Sequence, residues 1–148
     1  MVAGVKLLFL AMAIAAATTP TPHAEVDWAE LNVDEALQRA SEEGKRVFAL
    51  FDAPWCGPCK TLHRKVLDTP EGGELLAPTI AIRVNIDEER NRPFVKRYRA
   101  RVVPTALVLR ADGTEVGRVR GFPGRARWMK RIRALIGEGD DREDGPSF

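Results

Sequence analysis

Residues 46–60 read RVFALFDAPWCGPCK, and this stretch decides the fold. Val47 to Phe51 form an unbroken apolar run, which suits a strand buried on both faces at the centre of a sheet flanked by helices. Pro54, Gly57 and Pro58 then break the chain. Pro58 suits the first turn of a helix because its missing N–H would have no partner there. That helix is expected to run to about Leu67, with Leu62 and Val66 inward. The only two cysteines among 148 residues, Cys56 and Cys59, stand at this strand-to-helix junction. Two cysteines cannot build a multi-bridge secreted scaffold. Nor can they close a structural zinc site, which takes four ligands. They form either a single staple or a redox centre.

On the N-terminal side, Asn32 is a good helix cap. Val33, Ala36, Leu37 and Ala40 follow at helical spacing, and Gly44 ends the helix. On the C-terminal side, residues 68–78 hold two glycines and two prolines and read as a loop, with one helical turn at Glu74 to Ala77. Thr79 to Ile86 alternates as a strand, with Ile80, Ile82, Val84 and Ile86 on one face. Glu88 to Arg99 reads as a charged helix burying Phe94, Val95 and Tyr98. A strand from Thr105 to Arg110, the Asp112-Gly113 hairpin turn and a more polar edge strand from Glu115 to Arg120 come next. Gly121 and Pro123 break the chain before a last helix, Arg125 to Ile136, burying Trp128, Met129, Ile132, Leu135 and Ile136. The order α-β-α-β-α-β-β-α predicts an α/β domain with a mixed sheet covered on both faces.

The two ends differ in composition from this body, residues 25–136. Met1 to Ala17 reads as a secretory signal peptide, with Lys6 as its basic flank and Leu7 to Ala17 as its apolar run. The run is shorter than the ~20 residues a spanning helix needs; a buried helix or uncleaved anchor is the alternative. Cleavage is expected after Ala17 or Ala24, with Thr18 to Ala24 an extended Pro/Thr linker. The mature chain is therefore expected outside the cytosol, periplasmic or otherwise exported, without a membrane span. Residues 137–148, GEGDDREDGPSF, read as a disordered acidic tail. The formal net charge of +2 is too even to point to nucleic acid as a partner.

Trp55-Cys56-Gly57-Pro58-Cys59-Lys60, between a buried strand and a helix, resembles the active site of the thioredoxin family. Three further features agree: Val103-Pro104-Thr105 ahead of a strand, the Asp112-Gly113 hairpin, and Gly121 before the final helix. The leading helix, with Trp28 ahead of it, is more similar to the exported members. The resemblance implies a thioredoxin fold and thiol–disulfide exchange with protein substrates, using a redox-active Cys56–Cys59 disulfide and neither a further cofactor nor a metal. It implies that Pro104 is cis and lies against the cysteines, where the Val103 backbone can pair with an extended substrate. Gly-Pro between the cysteines resembles the reducing members, whose potential is near −270 mV, roughly 150 mV below the strong oxidants. A reductant outside the cytosol needs an electron source, so a membrane-bound donor is implied. One departure stands out. Six residues before the first cysteine the family carries a buried aspartate that helps move the second cysteine's proton. Here that position is Leu50, and Asp52 stands two residues on, on the same strand face. Asp52 either replaces the missing acid or is an exposed strand-end carboxylate.

Elementary chemistry assigns roles beside the resemblance. Cys56 at a helix N-terminus meets unpaired N–H groups and the positive end of the dipole, so its pKa is expected below the free value of about 8.5. Cys56 is thus the expected nucleophile and Cys59, one turn further in and more buried, the resolving thiol. A static staple closing so small a loop would stabilise little. Trp55 is expected to shield the pair and offer substrate an apolar contact; ordinary core packing is the alternative. Lys60 reads as an exposed helix residue. His63, four residues after Cys59, reads as a surface histidine; with Cys56 and Cys59 it offers the alternative of a copper or zinc carrier. The other alternative is an oxidant or isomerase of exported proteins.

Overall fold

The computed structural model describes residues 25–137; the expectations for residues 1–24 and 138–148 lie outside the described residues. Helix α1 is Val33–Glu43. The Asn32 side chain accepts from the Glu35 N–H at 3.0 Å, the Glu35 carboxylate accepts from the Asn32 N–H at 2.7 Å, and Gly44 ends the helix at φ 64. Strand β1 is Arg46–Asp52. Helix α2, Gly57–Leu62, runs on into a wider π-type segment, His63–Leu67. Then come α3 (Pro70–Leu76), β2 (Thr79–Asn85), α4 (Arg92–Arg97), β3 (Thr105–Leu109), β4 (Glu115–Arg120) and α5 (Arg125–Gly137). The sheet order is β2-β1-β3-β4, with β1 parallel to β2 and the other pairs antiparallel. This is the expected mixed sheet, with the motif strand inside it.

The apolar run in β1 serves both layers. Phe48 and Leu50 join Leu62, Val66, Leu67, Trp128 and Ile132 on one side. Val47, Ala49 and Phe51 join residues of α1, β2, α4 and β3 on the other. Each fully buried side chain of this size contributes about 1.5–3 kcal/mol. β4 is half-exposed over most of its length, as an edge strand should be.

Four expectations need correction. Residues 68–78 are not a loop with one late helical turn, because Pro70–Leu76 is helical. Thr69 caps this helix, accepting from the Gly72 N–H at 3.3 Å, and Pro70 starts it. Gly72 serves close packing: a Cβ there would lie 2.0 Å from the Val66 carbonyl oxygen. The helix expected over residues 88–99 is regular only from Arg92 to Arg97, after a 3-10 turn at Glu89–Asn91. Pro93 explains the late start, since it has no N–H to give and its ring clashes with the carbonyl four residues back. Arg99, at φ 51, lies past its end in the left-handed region. In α5, Leu135 and Ile136 are half-buried rather than buried. Gly137, expected in the tail, is its last helical residue. The Arg46 guanidinium caps this end, donating to the carbonyls of Leu135 and Ile136, the latter at 3.0 Å.

Candidate active site

β1 delivers the chain to the site at the carboxyl end of the sheet. Asp52 closes the strand, Ala53 and Pro54 turn the chain, and Cys56 is the N-cap of α2 with extended backbone. Cys56 and Cys59 form a disulfide, and Cys56 Sγ accepts from the Cys59 N–H at 3.2 Å. Helix end and sulfur are thus in direct contact, the geometry that stabilises a thiolate once the bond is reduced. Both cysteines are buried, at 3% and 2%. The expected difference in burial between them is therefore absent in the oxidised form, and what distinguishes them is position along the helix. Gly57 opens α2 and Pro58 stands in its first turn.

The Val103–Pro104 peptide is cis, and Val103 packs with Ala53, Cys56 and Cys59. The Pro104 carbonyl accepts from the Gly121 N–H at 2.7 Å, and the Thr105 hydroxyl donates to the Val102 carbonyl at 2.6 Å, which holds this segment against the cysteines. Trp55 is 65% exposed and Val102 60%, so Trp55 is not a core residue. The Trp55 indole N–H donates to Asp87 Oδ2 at 2.8 Å, which fixes the ring at the surface. Lys60 is exposed as expected.

Behind the cysteines the buried reading of Leu50 holds and the surface reading of His63 fails. Leu50 is fully buried in apolar surroundings, and no carboxylate stands there. Asp52 is only 3% exposed and is not a solvated strand end. Its Oδ2 accepts from Arg83 Nη2 at 2.7 Å and Arg83 Nε at 3.1 Å, and lies 3.2 Å from His63 Nε2. His63 is not a surface residue: its side chain is 15% exposed, and Nδ1 faces Asp68 Oδ1 at 3.4 Å. Among the described residues no group of three or more His, Cys, Asp or Glu side chains is arranged to hold a metal. Arg83 and Asp87 are site residues that sequence reasoning missed. The alternation of β2 places Arg83 opposite Ile82 and Val84, and a lone charge on that half-buried face was the available signal. The β1–β2 register, with Leu50 beside Arg83, makes Asp52 its diagonal neighbour.

A family model described as a thioredoxin-like domain matches residues 33–136. A thioredoxin H-type of Populus jackii is 32% identical over 103 residues, covering 70% of this chain and 69% of that protein. A thioredoxin of Bacillus subtilis (strain 168) is 36% identical over 91 residues, covering 60% and 80%. The solved thioredoxin from Thermus thermophilus superposes with a TM-score of 0.68 at 28% identity, covering 78% of this chain and 91% of its own. The chain belongs to the thioredoxin-like family. With its Cys56–Cys59 disulfide, it is a thiol–disulfide oxidoreductase of that family.

Proposed function

We propose that the protein reduces disulfides in exported protein substrates. The observation that carries this reading is the buried Cys56–Cys59 pair at the N-terminus of α2, with the cis Val103–Pro104 peptide packed against it. Cys56 thiolate attacks a substrate sulfur, and the substrate's first thiolate leaves. Cys59 then attacks Cys56 Sγ, the Cys56–Cys59 bond forms, and the second substrate thiolate departs with the electron pair. Gly57 and Pro58 shape the turn. Trp55 and Val102 offer apolar contact, and the Val103 backbone pairs with an extended substrate segment beside Pro104. Asp52 serves as the carboxylate that takes the Cys59 proton, in place of the acid missing at Leu50. The Gly-Pro pair supports the reducing direction, and a membrane-bound donor would return electrons.

Equilibration with glutathione tests the direction. A potential near −270 mV is expected, and one well above about −200 mV overturns the reductase reading. A Cys59→Ser variant should trap mixed disulfides, whose partners identify the substrates. Recovery of the chain outside the cytosol, cleaved after Ala17 or Ala24, tests export; a full-length cytosolic protein refutes it.

A further inference from the structure

The Asp52 carboxylate is held from one side only. Two Arg83 nitrogens and His63 Nε2 converge on Oδ2, and among the described residues no donor reaches Oδ1. A buried carboxylate with one locked oxygen and one open oxygen has a defined proton-accepting position. Asp52 also lines an open cleft of about 810 Å³ together with Trp28, Pro54, Arg83, Asn85 and Asn91, which connects it to solvent.

His63 is clamped on every side. Its backbone N–H bonds the Cys59 carbonyl, placing the ring one turn below Cys59 on the same helix. The wide turn that follows, closed by the Asp68 N–H on the His63 carbonyl at 2.9 Å, brings the Asp68 carboxylate round to Nδ1. The Trp28 ring lies 6.1 Å from the imidazole and 6.0 Å from the Arg83 guanidinium. The charged or titratable groups around His63 are thus Asp52 from β1, Asp68 from the end of its own segment and Arg83 from β2. The metal reading of His63 does not use this geometry, because Nε2 is turned to Asp52.

We infer that His63 is a positioning residue for the resolving step: with Arg83 it locks Oδ2 of Asp52, so that Oδ1 stands open to receive the Cys59 proton. This rests on the thiol–disulfide exchange proposed above. In the step concerned, the Cys59 S–H bond breaks and the proton goes to Oδ1. The sulfur electron pair forms the Cys56–Cys59 bond, and the pair of the broken Cys56–substrate bond leaves on the substrate thiolate. The proton then passes to water in the cleft, and the substrate disulfide has been reduced by two electrons from the dithiol.

Single-turnover mixing of the reduced protein with a symmetric aromatic disulfide separates the two steps, since each releases one coloured thiolate. In His63→Leu the ratio of the second rate to the first is expected to fall about tenfold, less than the roughly 100- to 10,000-fold of a group that itself moves the proton, because Arg83 still holds Oδ2. His63→Gln, which keeps an N–H for Oδ2, should recover most of that ratio. Asp52→Asn should depress it at least as far as His63→Leu does. Adding His63→Leu to Asp52→Asn should then change little, because residues acting through one group are not additive. Equal slowing of both steps in His63→Leu, no recovery in His63→Gln, or additive losses in the double variant would each overturn the role of His63. Failure of the wild-type protein to release the first thiolate would instead overturn the exchange reading itself.

Discussion

Trp55 shows how one side chain can be legible in type and unreadable in placement. An aromatic residue beside a cysteine pair is consistent with either core or surface, and only the Asp87 hydrogen bond and its 65% exposure decide between them. Exposed, rigid aromatics carry a disproportionate share of binding energy. Trp55→Ala is therefore expected to lower kcat/KM for protein substrates by roughly tenfold while shifting Tm little. An unchanged kcat/KM, measured with a disulfide-bonded protein substrate, would remove Trp55 from the docking surface. Asp52 is the converse case. Its position two residues from the family's acid was visible, but its three contacts to Oδ2 come from 11 and 31 residues away in the chain. No local pattern encodes such pairings.

At the scale of elements, α1 was fully legible because its signals are local. Asn32 and Gly44, the two ends read from the sequence, act within one turn of their own positions. The end of α1 carries a pH-dependent contact of the same kind. Hydrogen bonds from Arg39, at 2.7 Å, and Lys45, at 2.8 Å, hold the Glu43 carboxyl down at about 2, from the usual 4.5. Because the folded value is the lower one, this contact is fully present above pH 4.5 and is lost as pH falls toward 2. NMR titration should find the Glu43 midpoint well below 4.5, and a midpoint at the ordinary value would refute the pairing. Helix α3 was misread because Gly and Pro are ambiguous. Pro70 starts the helix and Gly72 lets it approach Val66, whereas both read locally as loop residues. Gly72→Ala should cost about 1–3 kcal/mol in urea denaturation, since the added methyl meets backbone that cannot swing aside. A neutral result would show that α3 can move away from the π segment.

At the scale of the whole molecule, stability rests on a sheet buried on both faces, with β1 at its centre. Phe48 is fully buried and meets Trp128 edge-on at 6.1 Å and Trp28 at 6.2 Å, so it ties β1 to α5 and to the segment before α1. Phe48→Ala should destabilise the protein by about 3–5 kcal/mol. A loss below about 1 kcal/mol in denaturant unfolding would mean that the two layers repack independently. By itself the sequence determined the order of every helix and strand except α3, the buried strand and the cysteine pair at a helix start. Those features follow from periodicity, capping and turn chemistry over a few neighbouring residues. Only the tertiary structure decided that Asp52 is buried and bound to Arg83 and His63, and that Val103 packs against the disulfide. Each of those outcomes depends on strand register and on contacts between residues distant in the chain, whose geometry exists only once the sheet and helices have packed.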